Sequence, residues 1–247
     1  MSQTVLITGA LSGIGRETAI AFAQEGYNVA VSGRRQEAGE EFATELRRLG
    51  AAAEFVLADV SIDEGVRKMV DMVVHRFGSI DIAINNAGTE GKPGPIVEQT
   101  RESITSVFET NVVGVLLSLK YELKAMMEQK RGSIINISST MGRTSFPNQG
   151  VYAASKHAVE ALTKTAALEG APFGIRVNTV APGPTDTNML HRLTGGADGI
   201  AKMTAGIPLG RAGTPREVAD ACVFIASDKA SFITGQVLGV NGGRLLG

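Results

Sequence analysis

Short apolar runs alternate along this chain with stretches in which apolar positions recur every three or four residues. The runs Thr4–Thr8, Asn28–Ser32, Ala53–Ala58, Ile80–Asn85, Ser133–Ser138, Ile175–Ala181 and Gln236–Val240 read as strands. Between them, Gly15–Glu25, Glu37–Leu49, about 103–129, Val151–Leu168 and Pro215–Ala226 read as helices. Another helix is marked by Val66, Met69, Val70, Val73, Val74 and Phe77, whose alternating spacing draws one helical stripe. Gly26 and Gly50 stand where the first two helices should stop. The strands are apolar almost throughout instead of alternating, which suits parallel strands covered on both faces. Repeated strand–helix units predict an α/β, Rossmann-type doubly wound sheet of seven parallel strands, with helices on both faces and right-handed crossovers. No linker, repeat or low-complexity segment interrupts the pattern, so one domain over 1–247 is expected.

One segment breaks the rhythm. Residues 183–207 carry Gly183, Gly195, Gly196, Gly199 and Gly206 among Met189, Leu190, Leu193 and Met203. The segment is too long for an ordinary strand-to-helix connection. It reads either as a surface loop or as a lid whose apolar side chains cover a site.

Composition narrows the function classes. The 247 residues are 43% hydrophobic and 20% charged, enough apolar material for a large core and too little charge for a disordered chain. The formal net charge is −1 and no long basic run occurs, so neither nucleic acid nor an anionic membrane is an expected partner. A single cysteine, Cys222, leaves no internal disulfide and fits a reducing compartment. The chain enters an apolar strand at once and shows no signal peptide, so a cytoplasmic protein is expected. His75, His157 and His191 form no ligand spacing with Cys222, and no metal site is expected.

Four clusters carry candidate chemistry: Thr8-Gly9-Ala10-Leu11-Ser12-Gly13-Ile14-Gly15, then Asn85-Asn86-Ala87-Gly88, then Ser139, then Tyr152 with Lys156. Glycines between a strand and a helix let the backbone approach a pyrophosphate, and the helix start offers free N–H groups. Tyr152 and Lys156 are spaced to share one helical face. A nearby ammonium is expected to lower the phenol's pKa, so that it can exchange a proton near neutral pH. A phosphate cradle and an acid/base pair in one chain point to nicotinamide redox chemistry.

The glycine run, the Asn-Asn-Ala-Gly run, the Ser139 to Tyr152 interval, the Tyr152/Lys156 pair and Ala181-Pro182-Gly183-Pro184-Thr185-Asp186-Thr187 together resemble the short-chain dehydrogenase/reductase family, over essentially the whole chain. The resemblance implies a catalytic set of Asn111, Ser139, Tyr152 and Lys156. Tyr152 would be the acid/base, Ser139 would bond the substrate carbonyl, and Lys156 would also hold the nicotinamide ribose. Asn111 would hold a water that links Lys156 to solvent. It implies a cofactor site of Gly9, Ser12, Gly13, Ile14, Gly15, Asp59, Val60, Asn86, Ala87, Gly88, Tyr152, Lys156, Pro182, Gly183, Thr185 and Thr187. Each has a plainer alternative: Ser138 and Thr140 flank Ser139, Asp59 can cap a helix, and Asn111 can simply bend one.

Cofactor choice is read after the second strand. An acid there would favour NAD, but the chain has Ser32-Gly33-Arg34-Arg35. Arg34 and Arg35 can pair with a 2′-phosphate, so NADP(H) is expected to be preferred with NAD(H) possible; two solvated arginines are the alternative. Met141, Phe146, Met189, Leu190 and Leu193, with Ser139, are the expected substrate contacts and suit an apolar ketone or aldehyde, or the matching alcohol. Glu90, Lys92, Arg143, His191 and Arg192 lie in the same segments, with no orientation fixed by the sequence. The family also implies a homotetramer. The expected function is an NADP(H)-dependent carbonyl reductase or alcohol dehydrogenase. The alternatives are a 3-oxoacyl-carrier-protein reductase and, from another class, a non-catalytic dinucleotide-binding protein.

Overall fold

A computed structural model gives the fold, and residues 2–245 are described. Seven strands form one parallel sheet: β1 (Thr4–Ile7), β2 (Asn28–Gly33), β3 (Ala53–Leu57), β4 (Ile82–Asn85), β5 (Gly132–Ile137), β6 (Ile175–Pro182) and β7 (Val237–Val240), in the order β3-β2-β1-β4-β5-β6-β7. The strand order reverses between β1 and β4, which opens a crevice at their C-terminal ends. Both faces of the sheet are buried over its central strands, as the unalternating pattern required, while the edge strand β7 is partly exposed. Val5, Ile7, Val29, Val31, Ile82 and Ile84 pack on one side, and Leu6, Ala30, Ala83, Ile134 and Val177 on the other.

The connecting helices fall close to their expected places. They are α1 (Gly13–Gln24), α2 (Gln36–Arg48), α3 (Asp63–Phe77), α4 (Arg101–Phe108), α5 (Gly114–Gln129), α6 (Gly150–Gly170) and α9 (Pro215–Ala226). The stripe from Val66 to Phe77 does face the core, with Val66, Met69, Val70 and Val73 buried. The stretch expected as one helix over 103–129 is divided. Glu109–Val113 form a π-turn between α4 and α5, with Asn111 fully buried inside it. A π-turn widens the helix by one residue, and such bulges recur at functional sites. The segment 183–207 is not a plain loop either. It folds into α7 (Asn188–Thr194) and α8 (Ala197–Thr204), separated by Gly195 and Gly196, both at positive φ. No helix among the described residues is long and apolar enough to cross a membrane.

A buried polar chain lies under the crevice. Asn85 Nδ2 donates to Glu122 Oε2 on α5 and to Asn136 Oδ1 on β5, both at 2.9 Å. Asn136 Nδ2 donates to Thr163 Oγ1, which also accepts from Thr179 at 2.9 Å. Glu122 Oε1 and Asn85 Oδ1 have no partner, and burial pushes the Glu122 carboxyl up to about 7 despite the bond from Asn85.

Candidate active site

The glycine turn between β1 and α1 shows why each glycine is there. Gly9 and Gly13 have φ of +63° and +55°, a region that side chains disfavour. A Cβ on Gly9 would stand 2.7 Å from Ala87 Cα, so this glycine admits the Asn86–Gly88 turn. A Cβ on Gly15 would stand 2.3 Å from Asn86 Nδ2. Gly15 therefore packs the helix on the neighbouring turn and does not face the crevice. Asn86 braces the same place: its Nδ2 donates to Thr8 O at 3.1 Å and Gly9 O at 3.0 Å. The backbone N–H groups of Asn86 and Ala87 both donate to Thr8 Oγ1.

A cleft of about 340 Å³ runs over this turn. Gly9, Ser12, Gly13, Ile14, Arg34, Arg35, Asp59, Val60, Asn86, Ala87, Gly88 and Thr187 all line it, while Tyr152, Lys156, Pro182, Gly183 and Thr185 of the expected cofactor set do not. Ser12 sits at the N-cap of α1 with no capping bond from its side chain, which leaves the first-turn N–H groups to the cleft. Ser32 Oγ, buried in the cleft wall, has no hydrogen-bond partner. Free amides at a helix start and an orphaned hydroxyl at the end of β2 fit a dinucleotide's pyrophosphate and ribose. Arg34 lies 3.7 Å from Asp59, and its side chain is 74% exposed, so the pair is weak and exchangeable. Burial pushes the Asp59 carboxyl up, but bonds from Ser61 and the Arg34 charge outweigh it and hold it below its ordinary value.

A second cavity, about 350 Å³, adjoins the first. Ser139, Tyr152, Lys156, Pro182, Gly183, Thr185, Thr187, Met141, Phe146, Met189, Leu190 and Leu193 all line it. Every expected substrate contact is thus brought to one place. The two cavities share Ile14, Asn86, Gly88, Thr187 and Met189 as wall. Thr187 caps α7, accepting from Leu190 N at 3.3 Å, while its methyl approaches Gly13, so one residue joins the 183–207 segment to the glycine turn.

Ser138 and Ser139, adjacent on the wall of this cavity, have different partners. Ser138 Oγ donates to Glu160 Oε1 at 3.0 Å, away from the phenol. Ser139 Oγ caps the short turn Thr140–Gly142 through Met141 N and stands against Tyr152, whose pKa it lowers. Asn111 is pinned on both sides. Its Oδ1 accepts from Thr89 N at 2.8 Å, and its Nδ2 donates to Thr89 O and Ser155 Oγ. A Cβ on Gly88 would lie 3.3 Å from Asn111 Oδ1 and 3.6 Å from Lys156 Nζ, so both groups converge behind that glycine.

The electrostatics correct one expectation. Lys156 Nζ is 5.6 Å from the centre of the Tyr152 ring, but it donates to Ile137 O at 2.9 Å. Burial pulls its ammonium down to about 8. Burial and the charge of Glu90 push the Tyr152 phenol up to about 12, against the pull of Ser139. The anticipated lowering by Lys156 is absent because the wall that encloses both groups costs each its charged form.

Of the charged residues left open by the sequence, Glu90, Arg143, His191 and Arg192 are paired, and Lys92 has no ion-pair partner among the described residues. Arg192 donates to Glu90 at 2.8 Å, His191 meets Asp186 at 2.8 Å, and Arg143 lies 3.6 Å from Glu160. None of Glu90, Lys92, Arg143, His191 or Arg192 lines the second cavity. Arg244 does line it, and sequence reasoning missed it because it lies beyond β7 and outside every motif. No group of three or more His, Cys, Asp or Glu that could hold a metal occurs among the described residues.

The sequence model described as enoyl-(acyl carrier protein) reductase matches residues 9–244. The 3-oxoacyl-(acyl-carrier-protein) reductase of Staphylococcus epidermidis is 40% identical over 248 residues, which span all of both chains. This chain belongs to the short-chain dehydrogenase/reductase family. Among solved structures of similar fold, ElxO with NADP bound has 34% identity and a TM-score of 0.93, covering 99% of each chain. NAD⁺-bound xylitol dehydrogenase has 34% identity and a TM-score of 0.94, covering 98% of each chain. As a short-chain dehydrogenase/reductase, the protein is an oxidoreductase.

Proposed function

We propose that this short-chain dehydrogenase/reductase is an NADP(H)-dependent carbonyl reductase acting on ketones or aldehydes with an apolar body. The observation that carries the reading is the single cavity in which Ser139, Tyr152 and Lys156 meet Met141, Phe146, Met189, Leu190 and Leu193 beside the dinucleotide cleft. A nicotinamide dinucleotide bound in the cleft supplies the hydride for reduction or accepts it for oxidation. Tyr152 Oη gives its proton to the carbonyl oxygen, and Ser139 Oγ donates a hydrogen bond to the same atom. Burial favours the protonated phenol in the free enzyme, and the protonated form is the one that acts as the acid in reduction. Lys156, 5.6 Å from the centre of the Tyr152 ring and tied to Ile137 O, would hold the nicotinamide ribose beside the phenol. Asn111 fixes the turn after β4 against α6 and so keeps Lys156 in place.

The segment 183–207 is the lid, within one domain of 1–247. Arg34, with Arg35, carries the preference for NADP(H) over NAD(H). Support comes from the missing acid at Gly33 and from the NADP bound in ElxO, while the NAD⁺ of xylitol dehydrogenase keeps NAD(H) as the alternative. We also propose a cytoplasmic homotetramer. Leu116 on α5 and Leu168 on α6 are 50% and 79% exposed, apolar positions on helices suited to two-fold interfaces. Sedimentation at micromolar concentration is expected to give four chains, and a fully active monomer would refute it.

The 40% identity to a 3-oxoacyl-(acyl-carrier-protein) reductase favours a second reading, reduction of a carrier-bound 3-oxoacyl thioester by the same residues. A kinetic panel decides between them: apolar ketones, free sugars and a carrier-bound thioester, each with NADPH and NADH. Higher kcat/KM for simple ketones supports the first reading. A carrier thioester preferred over every ketone supports the second, and no turnover with any of them returns the chain to a non-catalytic dinucleotide-binding role.

A further inference from the structure

The second cavity has one charged group on its substrate side, Arg244, and no Asp or Glu among its described lining residues. Arg244 is aimed there by the turn that follows β7. Asn241 Oδ1 accepts from Gly243 N at 3.0 Å, and Arg244 N donates to Asn241 O at 3.1 Å. Gly242 and Gly243 have φ of +63° and +87°, and Cβ atoms on them would lie 2.7 Å from Ile207 and 3.0 Å from Pro208. The turn therefore presses on the end of the 183–207 segment and sends the arginine inward. There the guanidinium lies 4.9 Å above the Phe146 ring, and Nη1 donates to Met203 O at 2.9 Å. Its remaining N–H groups meet no acceptor among the described residues, and no carboxylate of those residues lies within ion-pair distance. The contrast with the rim is sharp: Arg143, Arg192 and Arg211 each have a carboxylate partner.

We infer that Arg244 is a specificity residue that binds a carboxylate on the substrate, set off from the reacting carbonyl by the apolar body that Phe146, Met189, Leu193 and Met203 enclose. This rests on the carbonyl-reductase reading and narrows it. A half-buried guanidinium stacked on a ring and held at one N–H is pre-oriented, and its free fork matches a carboxylate through two parallel bonds. An apolar cavity excludes water from such a pair, so the charge-assisted bonds outweigh those of an amide in the same position. Purely apolar ketones, the expectation from the sequence, become the weaker half of the substrate range.

The test compares para-acetylbenzoate with para-acetylbenzamide, which share shape and ketone but not charge, in wild type, Arg244→Gln and Arg244→Lys. The expected wild-type kcat/KM favours the acid by roughly tenfold or more, carried by KM, as charge-assisted pairing implies. Arg244→Gln is expected to erase that preference while leaving the amide within about threefold of wild type, and Arg244→Lys to keep part of it. Equal or better reduction of the amide by wild type overturns the proposal. So does an equal loss on both substrates in Arg244→Gln, which would make Arg244 a strap for Met203 only. Turnover of the amide by wild type shows that the carbonyl-reductase reading survives either failure, and no turnover of either compound overturns that reading for aryl ketones together with the inference.

Discussion

The dinucleotide cleft is walled mainly by backbone and strand ends: the turn from β1 to α1, the tips of β2 and β3, and Asn86–Gly88 after β4. The substrate cavity beside it is walled by long side chains from α7, α8, the segment after β5 and the turn after β7. The first wall is over-determined. Gly9 and Gly15 have no room for a Cβ, and Asn86 and Thr8 lock the turn through four bonds that also take in Gly9 O and Ala87 N. The second wall is held by Thr187 at one end and by packing on Ile207 and Pro208 at the other. A ligand constant in shape is met by fixed backbone, and a ligand that differs between relatives is met by side chains that can be exchanged without disturbing the sheet.

Substitutions on each side test this division. The largest effect is expected at the boundary. Tyr152→Phe removes the proton donor while keeping the ring, and turnover should fall by about 10²–10⁴-fold. Dinucleotide affinity, read by fluorescence titration, should stay near wild type; retention of more than about a tenth of wild-type turnover would remove Tyr152 from the acid role. In the cleft, Arg34→Ala is expected to lower kcat/KM with NADPH by roughly tenfold to a hundredfold, with NADH little changed. A shifted ketone KM in that variant would show that the two walls are not separable. In the cavity, Leu193→Ala is expected to weaken an apolar ketone by about 1–3 kcal/mol and to leave both dinucleotides alone. Unchanged ketone kinetics would place Leu193 outside the closed wall.

The last effect is on stability and not on turnover, and concerns the floor beneath both sites. The Glu122 carboxyl, held at about 7, binds a proton in the folded chain that the unfolded chain releases near its ordinary value of 4.5. Stability from this group is therefore full below about pH 4.5 and is lost as pH rises to about 7. Glu122→Gln should flatten that slope in denaturant titrations and leave the variant the more stable protein at about pH 8. A slope unchanged by the substitution would mean that another group titrates there.

The two halves also differ in how far they could be read from the sequence. Strand and helix positions followed from apolar spacing because the parallel sheet buries both faces and leaves no ambiguity of face. The glycine turn and the meeting of Ser139, Tyr152 and Lys156 in one cavity were legible because the proposed chemistry calls for particular residue types at short spacings. The π-turn at Glu109–Val113 was not, since its extra residue is accommodated by contacts from Asn111 to Thr89 and Ser155, distant in sequence. The pKa of Tyr152 was misjudged because spacing shows a neighbour but not burial. Arg244 was invisible because its direction is set by Ile207 and Pro208 pressing on two glycines, a tertiary contact with no local signature.

The shared wall of Ile14, Asn86, Gly88, Thr187 and Met189 has a consequence for kinetics. Where two compartments have a partition in common, the first occupant becomes part of the container for the second. A carbonyl compound that arrives alone would meet a cavity open toward the dinucleotide cleft and would find no hydride donor there. Ordered addition, dinucleotide before carbonyl compound, is therefore the expected outcome, and product-inhibition kinetics would check it.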